Sequence, residues 1–251
     1  MSPCAAFVSF RFGDTDGVSV VARTWMSAVR DAGYDVVTVT GDDAADRTVE
    51  GIGIEGASTE EGSTEEGSTE GADGEGSVDE GSVDEGELAA RLEAALDDVD
   101  LVVVENLLTI PLNLPASRAL ARVLRGRPAL VHHHDPPWHR ERFAHIDELP
   151  ATDPAWRHVS INRALQRELA ARGIDSTVIY NGFEVPRPLD DAGHAALRDR
   201  VRAAVGLGAD ELVVAHPVRA IERKNVPAAI ELCERLGATY WLLGPAEEGY
   251  G

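Results

Sequence analysis

The chain has 251 residues, of which 43% are hydrophobic, so it can bury the core of one large domain or two small ones. Its formal net charge of −21 is concentrated in residues 48–90, which hold 14 of the 44 acidic residues and no Lys or Arg. The remainder carries 30 acidic against 23 basic residues, which argues against a nucleic acid as partner because phosphate backbones need clustered positive charge.

The two cysteines, Cys4 and Cys233, stand far apart and offer neither a disulfide framework nor the ligand spacing of a zinc site. This usage indicates a reducing compartment. The amino terminus lacks a basic segment followed by a long apolar stretch, and no later run approaches the roughly 18 apolar residues of a membrane span. We therefore expect a cytoplasmic protein with no transmembrane segment, for which peripheral membrane contact remains open.

Apolar runs typical of strands alternate with amphipathic segments typical of helices, which is the order of a parallel sheet with crossover helices. Most of the strand runs are continuously apolar, as expected for strands buried on both faces of a doubly wound sheet. The predicted strands are residues 5–10, 35–40, 101–105, 129–134, 158–161, 177–180, 212–216 and 239–243. The predicted helices are residues 18–32, 87–99, 115–127, 162–172, 192–205 and 225–236. The sequence thus predicts an α/β, Rossmann-like fold.

Residues 55–87 interrupt this alternation with the repeats EGSTEEGSTE and GSVDEGSVDE, which contain almost no large apolar side chain. Such a segment cannot bury enough surface to fold alone, so we expect a disordered acidic insertion at about residues 50–87. A cation-binding or partner-binding acidic repeat is the alternative.

A domain boundary is expected in residues 183–191, which contain two prolines and no helical period. This divides the chain into a Rossmann-like domain, residues 1–187, and a second Rossmann-like domain that begins at residue 188. Only two predicted strands follow the boundary, and an open α/β domain needs more. We therefore expect residues 188–251 to be the first part of a larger domain.

The exits of the strands carry the chemistry, because ligands of open α/β sheets bind where the carboxyl ends of strands meet helix N-termini. The first predicted strand runs into RFGDTDGVS, a glycine-containing loop that opens a helix. Backbone N–H groups at Asp16, Gly17 and Val18 could meet an anion there. The alternative is a turn that does no more than cap the helix.

The fourth predicted strand ends in VHHHDPPWHR, residues 131–140. His132 and His134 share one face of the strand and His133 takes the other, because successive strand residues alternate. One interpretation is a metal site, for which the only plausible ligands are His132, His134, Asp135 and His139. A buried, hydrogen-bonded histidine cluster is the second. We favour the third, a sugar or acceptor site in which Trp138 stacks and His or Asp side chains bind hydroxyls, and we expect no metal.

Two further sets of polar residues follow predicted strands. Glu105 and Asn106 end the third strand and could bind hydroxyls, or could equally cap a helix or close a loop. Residues 218–225, VRAIERKN, follow the strand at 212–216 and contain the chain's single lysine. Arg219 and Lys224 could clamp a diphosphate, Arg through its planar fork and Lys as a point charge, or they could be solvated surface charges.

Taken together, these segments resemble glycosyltransferase family 4, whose members are retaining enzymes of the two-Rossmann-domain GT-B type. The matching segments are GDTDGVSV after the first strand, VHHHD at the fourth strand, VIYNG near the domain boundary and an Arg-x4-Lys pair at Arg219 and Lys224. The resemblance implies transfer of a hexose from a nucleoside diphosphate sugar to a carbohydrate or small-molecule acceptor with retention of anomeric configuration. It implies no cofactor besides that donor.

Carried across by position, the resemblance implies that Arg219 and Lys224 hold the donor diphosphate and that Gly17 and its neighbours approach donor and acceptor. His134 then contacts the transferred sugar, so His134 and Asp135 are the candidate catalytic residues. The candidates for acceptor or sugar binding are Glu105, Asn106, His133 and Trp138.

The chain departs from the family in one respect: the Glu-x7-Glu element that binds the donor sugar and ribose lies later in the second domain than these 251 residues reach, and that spacing is not supplied there by Glu231, Glu234, Glu247 and Glu248. We therefore expect a piece of a longer enzyme that is inactive alone. The alternatives are a GT-B epimerase or phosphorylase, a non-catalytic sugar-nucleotide-binding fragment, and a metal-dependent hydrolase built on the histidines.

Overall fold

A computed structural model describes residues 2–13, 17–42, 45–54, 84–182, 187–218, 220 and 224–243. These residues divide into two compact units, the first ending before residue 185 and the second starting there. Residues 55–83, with most of the acidic repeat, lie outside the described residues, so the expected disordered insertion stays a prediction.

Seven parallel strands form one sheet in the first unit, in the order β3-β2-β1-β4-β5-β6-β7. The strands are β1 (Cys4–Val8), β2 (Asp35–Thr40), β3 (Arg47–Thr48), β4 (Leu101–Glu105), β5 (Ala129–His133), β6 (Trp156–Ser160) and β7 (Ser176–Val178). The helices are α1 (Gly17–Asp31), α2 (Glu85–Ala95), α3 (Leu114–Val123) and α4 (Arg163–Ala170). The predicted α/β fold with a parallel, Rossmann-like sheet is confirmed. Among the strands of the described residues, only β3 was not predicted, because two residues are too few to show a period.

The sheet is buried on both faces, which is why its strands are continuously apolar. On one face Phe7 and Val103 pack with Met26 of α1. On the other face Leu92 of α2 and Leu120 of α3 belong to a larger core that also holds side chains from the strands. Complete burial of a Leu or Phe side chain contributes about 1.5 to 3 kcal/mol, so these layers fix the strands whose ends carry the polar residues.

Side chains at the helix starts fix where the chain leaves the sheet. Asp84 caps α2 by accepting hydrogen bonds from the backbone N–H groups of Gly86 and Glu87. Asn113 caps α3 by accepting from the N–H of Ala116 at 3.0 Å, and its amide group donates to the carbonyl oxygen of Gly51 at 2.8 Å. Each such cap satisfies backbone donors that the first helical turn leaves unpaired.

The second unit contains α5 (Asp191–Ala204), β8 (Val213–His216), α6 (Val226–Leu236) and β9 (Thr239–Leu242), with β8 and β9 paired in parallel. These are the helix, strand, helix and strand that the sequence predicts after the boundary. No helix within the described ranges of either unit is long and apolar enough to cross a membrane.

Candidate functional site

The candidate site lies where the strand order of the first sheet reverses. β2 lies on one side of β1 and β4 on the other, and β5 follows β4. Connections leave such a reversal toward opposite faces of the sheet, which opens a crevice at the carboxyl ends of the strands. Glu105, the last residue of β4, is paired with His132 of β5. The polar residues predicted at the exits of these two strands are therefore neighbours.

Glu105 joins two of the three successive histidines. Its Oε2 atom lies 2.8 Å from Nε2 of His134 and 3.0 Å from Nδ1 of His132. The side chains of Glu105 and His132 are completely buried, and that of His134 is 6% exposed. This confirms that His132 and His134 share one face of the strand. It also brings in Glu105, which the sequence did not connect to them.

The imidazole ring of His132 packs mainly against two other aromatic rings. Its ring centroid lies 4.5 Å from that of Trp25 on α1 and 4.2 Å from that of His134. Its Nδ1 is near Glu105 but lacks the directional geometry of a hydrogen bond, and neither of its nitrogens has a hydrogen-bond partner among the described residues. The same holds for Oε1 of Glu105. Unpaired polar atoms at full burial are rare and call for an explanation.

Glu105 is held in its ionised form. Burial acts to raise the pKa of this carboxyl group, but the neighbouring His132 and His134 outweigh burial and keep the pKa below its usual value. A carboxylate can only accept hydrogen bonds, so His134 donates to it and carries a proton on Nε2. Nδ1 of His134 makes no hydrogen bond to any described residue.

Asn106 ties the exit of β4 to the exit of β5. Its Oδ1 accepts from the backbone N–H groups of His134 and Asp135, each at 3.1 Å, and its Nδ2 donates to Oδ2 of Asp135 at 3.1 Å. Its φ of 65° is left-handed, a conformation that Asn tolerates better than most residues. These bonds close the loop after β5, which is one of the roles that the sequence left open for Asn106.

His133 lies on the opposite face from its two neighbours. Its Nδ1 is 2.8 Å from the hydroxyl of Thr109 and its Nε2 is 2.9 Å from Nδ1 of His158 on β6. Burial, with a smaller contribution from His158, holds the pKa of His133 well below its usual value, and burial lowers the pKa of His158. Both rings are therefore neutral and can share a single N–H between them.

Asp135 is the acidic residue of the cluster that solvent reaches, with 48% of its side chain exposed. Besides the bond from Asn106, it lies 3.8 Å from the guanidinium of Arg140, which is an ion-pair contact. A carboxylate fixed by one amide and one cation keeps lone pairs for further donors, such as sugar hydroxyls.

Trp138 makes its described contacts outside the Glu105 cluster. Its Nε1 donates to Glu168 of α4 at 2.7 Å, and the guanidinium of Arg172 lies 3.6 Å from its ring centroid. His139 contacts the same carboxylate at 2.7 Å. Arg172 thus covers one face of the indole, and the ring also packs against the buried cluster of Leu165, Leu169 and Ile174. His139 was one of the four metal ligands that the sequence suggested, but its contact is with Glu168 and not with the other three residues.

The other predicted site residues are partly described. Gly17 is exposed and Val18 half-buried at the start of α1, and the Gly13 N–H donates to the Ser19 hydroxyl at 2.9 Å. Asp16 and Arg219 lie outside the described residues. Lys224 lies half-buried in the second unit, between β8 and the start of α6. A base just before a helix N-terminus is well placed for an anion.

The structure therefore brings together Glu105, Asn106, His132, His134 and Asp135, and gives His133 and Trp138 other partners. Sequence reasoning missed the contacts of Trp25, Thr109, His158 and Glu168. The one sequence signal for this arrangement was the alternation of side chains along the strand, which placed His133 on the opposite face from His132 and His134.

Comparisons with known proteins support a glycosyltransferase. Over 248 residues the chain is 26% identical to the mannosylglucosylglycerate synthase of Thermotoga maritima, a match that covers 93% of this chain and 57% of that protein. It is 24% identical over 242 residues to the enzyme of the same name from Petrotoga mobilis, covering 89% of this chain and 55% of that protein. No protein-family model matches the chain. The chain spans a little more than half the length of the curated relatives it matches.

Proposed function

We propose that this chain is part of a retaining GT-B glycosyltransferase that moves a hexose from a nucleoside diphosphate sugar to an acceptor hydroxyl. The observation that carries the proposal is the buried Glu105–His134 pair at the strand reversal, with Asp135 beside it. The similarity to two synthases of a mannosylated glucosylglycerate supports a glycosyltransferase.

His134 has the central role in this proposal. Since Glu105 accepts the proton of Nε2 and Asn106 holds the backbone N–H, the ring has a fixed orientation before any ligand arrives. Nδ1 is then left as an acceptor for a hydroxyl of the transferred sugar. Preorganised polar groups of this kind stabilise a transition state because they need not reorient during the reaction.

Asp135 and the glycine loop supply the remaining contacts of the first unit. The half-exposed carboxylate of Asp135 accepts hydrogen bonds from hydroxyl groups of sugar or acceptor. Gly17 and Val18 open α1, where backbone N–H groups attract negative charge. In the second unit, Lys224 and Arg219 bind the donor diphosphate through charge-assisted hydrogen bonds.

The test is a transfer assay on the full-length protein. GDP- and UDP-linked mannose and glucose serve as donors and glycerate and glucosylglycerate as acceptors, with NMR reporting the anomeric configuration of the product. His134→Ala should lower kcat/KM about a hundredfold, the typical cost of one preorganised contact, while donor binding persists. His145→Ala, at an exposed histidine, is the matched control and should change little. Saturable donor binding with no transfer to any acceptor would instead indicate a non-catalytic sugar-nucleotide-binding protein.

A further inference from the structure

The unpaired atoms at the ends of β4 and β5 suggest a ligand that accepts lone pairs. Glu105, His132 and His134 each present one nitrogen or oxygen atom, and these three atoms lie within 4.8 Å of one another. Oε1 of Glu105 and both nitrogens of the fully buried His132 have no hydrogen-bond partner among the described residues. Leaving such groups unpaired at full burial is unfavourable unless something satisfies them.

The chemistry of these three residues restricts what that ligand can be. Two imidazoles and one carboxylate suit Zn²⁺ and related first-row cations, whereas Mg²⁺ and Ca²⁺ prefer oxygen ligands throughout. The carboxylate of Glu105 also supplies negative charge that a buried cation needs. Oε1 of Glu105 or a water molecule can complete the four ligands that zinc normally takes.

The distances allow this with a small adjustment. Ligand atoms bonded to zinc at about 2.0 to 2.1 Å in a tetrahedron lie about 3.4 Å apart. The two carboxylate-to-imidazole distances are 2.8 and 3.0 Å, so the side chains would have to separate by about half an ångström. The third separation, between the two imidazole nitrogens, is at most 4.8 Å, so these atoms would have to approach each other by up to about 1.4 Å.

We propose that Glu105, His132 and His134 form a binding site for a single divalent transition-metal ion of the Zn²⁺ type. The site joins the exits of two adjacent strands and is almost fully buried, so the ion acts as a structural clamp beneath the crevice. The ion takes Nε2 of His134 in place of the proton donated to Glu105, so the ring proton moves to Nδ1, which then donates to a sugar hydroxyl in place of accepting from one. Metal binding can be measured without sugar transfer. The site departs from the expectation of no metal, and Glu105 replaces Asp135 and His139 in the ligand set suggested by the sequence.

Metal binding by the purified chain, stripped of metal with a chelator, tests the site. Titration with Zn²⁺ in a calorimeter should show one tight equivalent, and Co²⁺ should give the visible absorption of a low-symmetry site with nitrogen and oxygen ligands. Zn²⁺ in hundredfold excess over its Kd should raise Tm by about 5 to 10 °C, because it binds only the folded state. Mg²⁺ at the same concentration should neither raise Tm nor displace Co²⁺.

Variants separate the buried site from surface histidines. Glu105→Gln and His134→Ala should each weaken Zn²⁺ binding by at least about a hundredfold, more than loss of an outer contact costs. His145→Ala, an exposed histidine, should leave both the affinity and the Tm shift unchanged. Circular dichroism establishes that each variant is folded, and the Tm shift of the unaltered chain provides a test that needs no variant. The proposal is overturned if no equivalent of Zn²⁺ binds, if binding survives both Glu105→Gln and His134→Ala, or if His145→Ala abolishes it.

Discussion

Asn106 and Asp135 are linked in both directions, because the amide of Asn106 donates to the Asp135 carboxylate at 3.1 Å and accepts from the Asp135 backbone N–H at 3.1 Å. The same amide oxygen accepts from the N–H of His134. One side chain just after β4 thus sets the backbone of two candidate catalytic residues after β5. Replacing it should disturb both stability and the site.

Asn106→Ala should lower the free energy of unfolding by about 3 kcal/mol, since it removes three hydrogen bonds and puts a Cβ-bearing residue without a polar side chain at a left-handed φ. Asn106→Gly also removes the three hydrogen bonds, but glycine adopts a left-handed φ without strain. It should therefore lower the free energy of unfolding by about 1 kcal/mol less than Asn106→Ala does. Urea unfolding at pH 7.5 measures both. If Ala and Gly cost the same, the left-handed backbone contributes nothing to the effect.

The buried pair of His133 and His158 should make the fold sensitive to acid below about pH 6.5. The folded pKa of each lies below the ordinary value of 6.5, so the unfolded state binds more protons there. Their stabilising contribution is complete above that pH and is lost as the pH falls through the folded pKa values. Each histidine changes the free energy of unfolding by at most about 1.4 kcal/mol per pH unit.

His133→Asn removes one of these titrating groups while keeping a neutral polar side chain. Between pH 6.5 and 5.5 its free energy of unfolding should fall less steeply than that of the unaltered chain. His145→Asn, at an exposed site, should reproduce the original slope. An unchanged slope in His133→Asn would mean that the buried ring does not control the response to pH.

Deleting residues 56–82 should not lower the free energy of unfolding, because their composition offers almost nothing to bury and a shorter loop has a smaller closure entropy. The deletion must spare Asp84, whose carboxylate accepts from Gly86 and Glu87 at the start of α2. Asp84→Ala alone should cost about 1 kcal/mol through loss of that cap. A loss of more than about 1 kcal/mol in the deletion variant would show that the acidic repeat packs on the fold.

Lys224→Ala in the full-length protein should lower kcat/KM for the donor about ten- to a hundredfold, the equivalent of one charge-assisted hydrogen bond of roughly 1.5 to 3 kcal/mol. Arg219→Ala should behave alike if the two residues share the diphosphate. Arg200→Ala, at an exposed base on α5, is the control and should have little effect. Equal losses in all three would point to a diffuse basic surface in place of a clamp.

The order and type of the elements could be predicted because they depend on local periods. Continuous apolar runs such as residues 101–105 and 129–134 identify strands buried on both faces, and the helices between them show the 3.6-residue period. Strand alternation alone also separates His133 from His132 and His134. Each of these inferences needs only residues that lie close together in the chain.

Tertiary structure decided which distant residues meet. Glu105 contacts His132 and His134 because β4 pairs with β5 in one register, and a shift by one residue would turn Glu105 to the other face. In the same way, Glu168 meets Trp138 only because α4 packs beside the loop after β5. Spacing in the sequence carries no record of such pairings, since they arise from packing between elements that are neighbours only in the folded sheet.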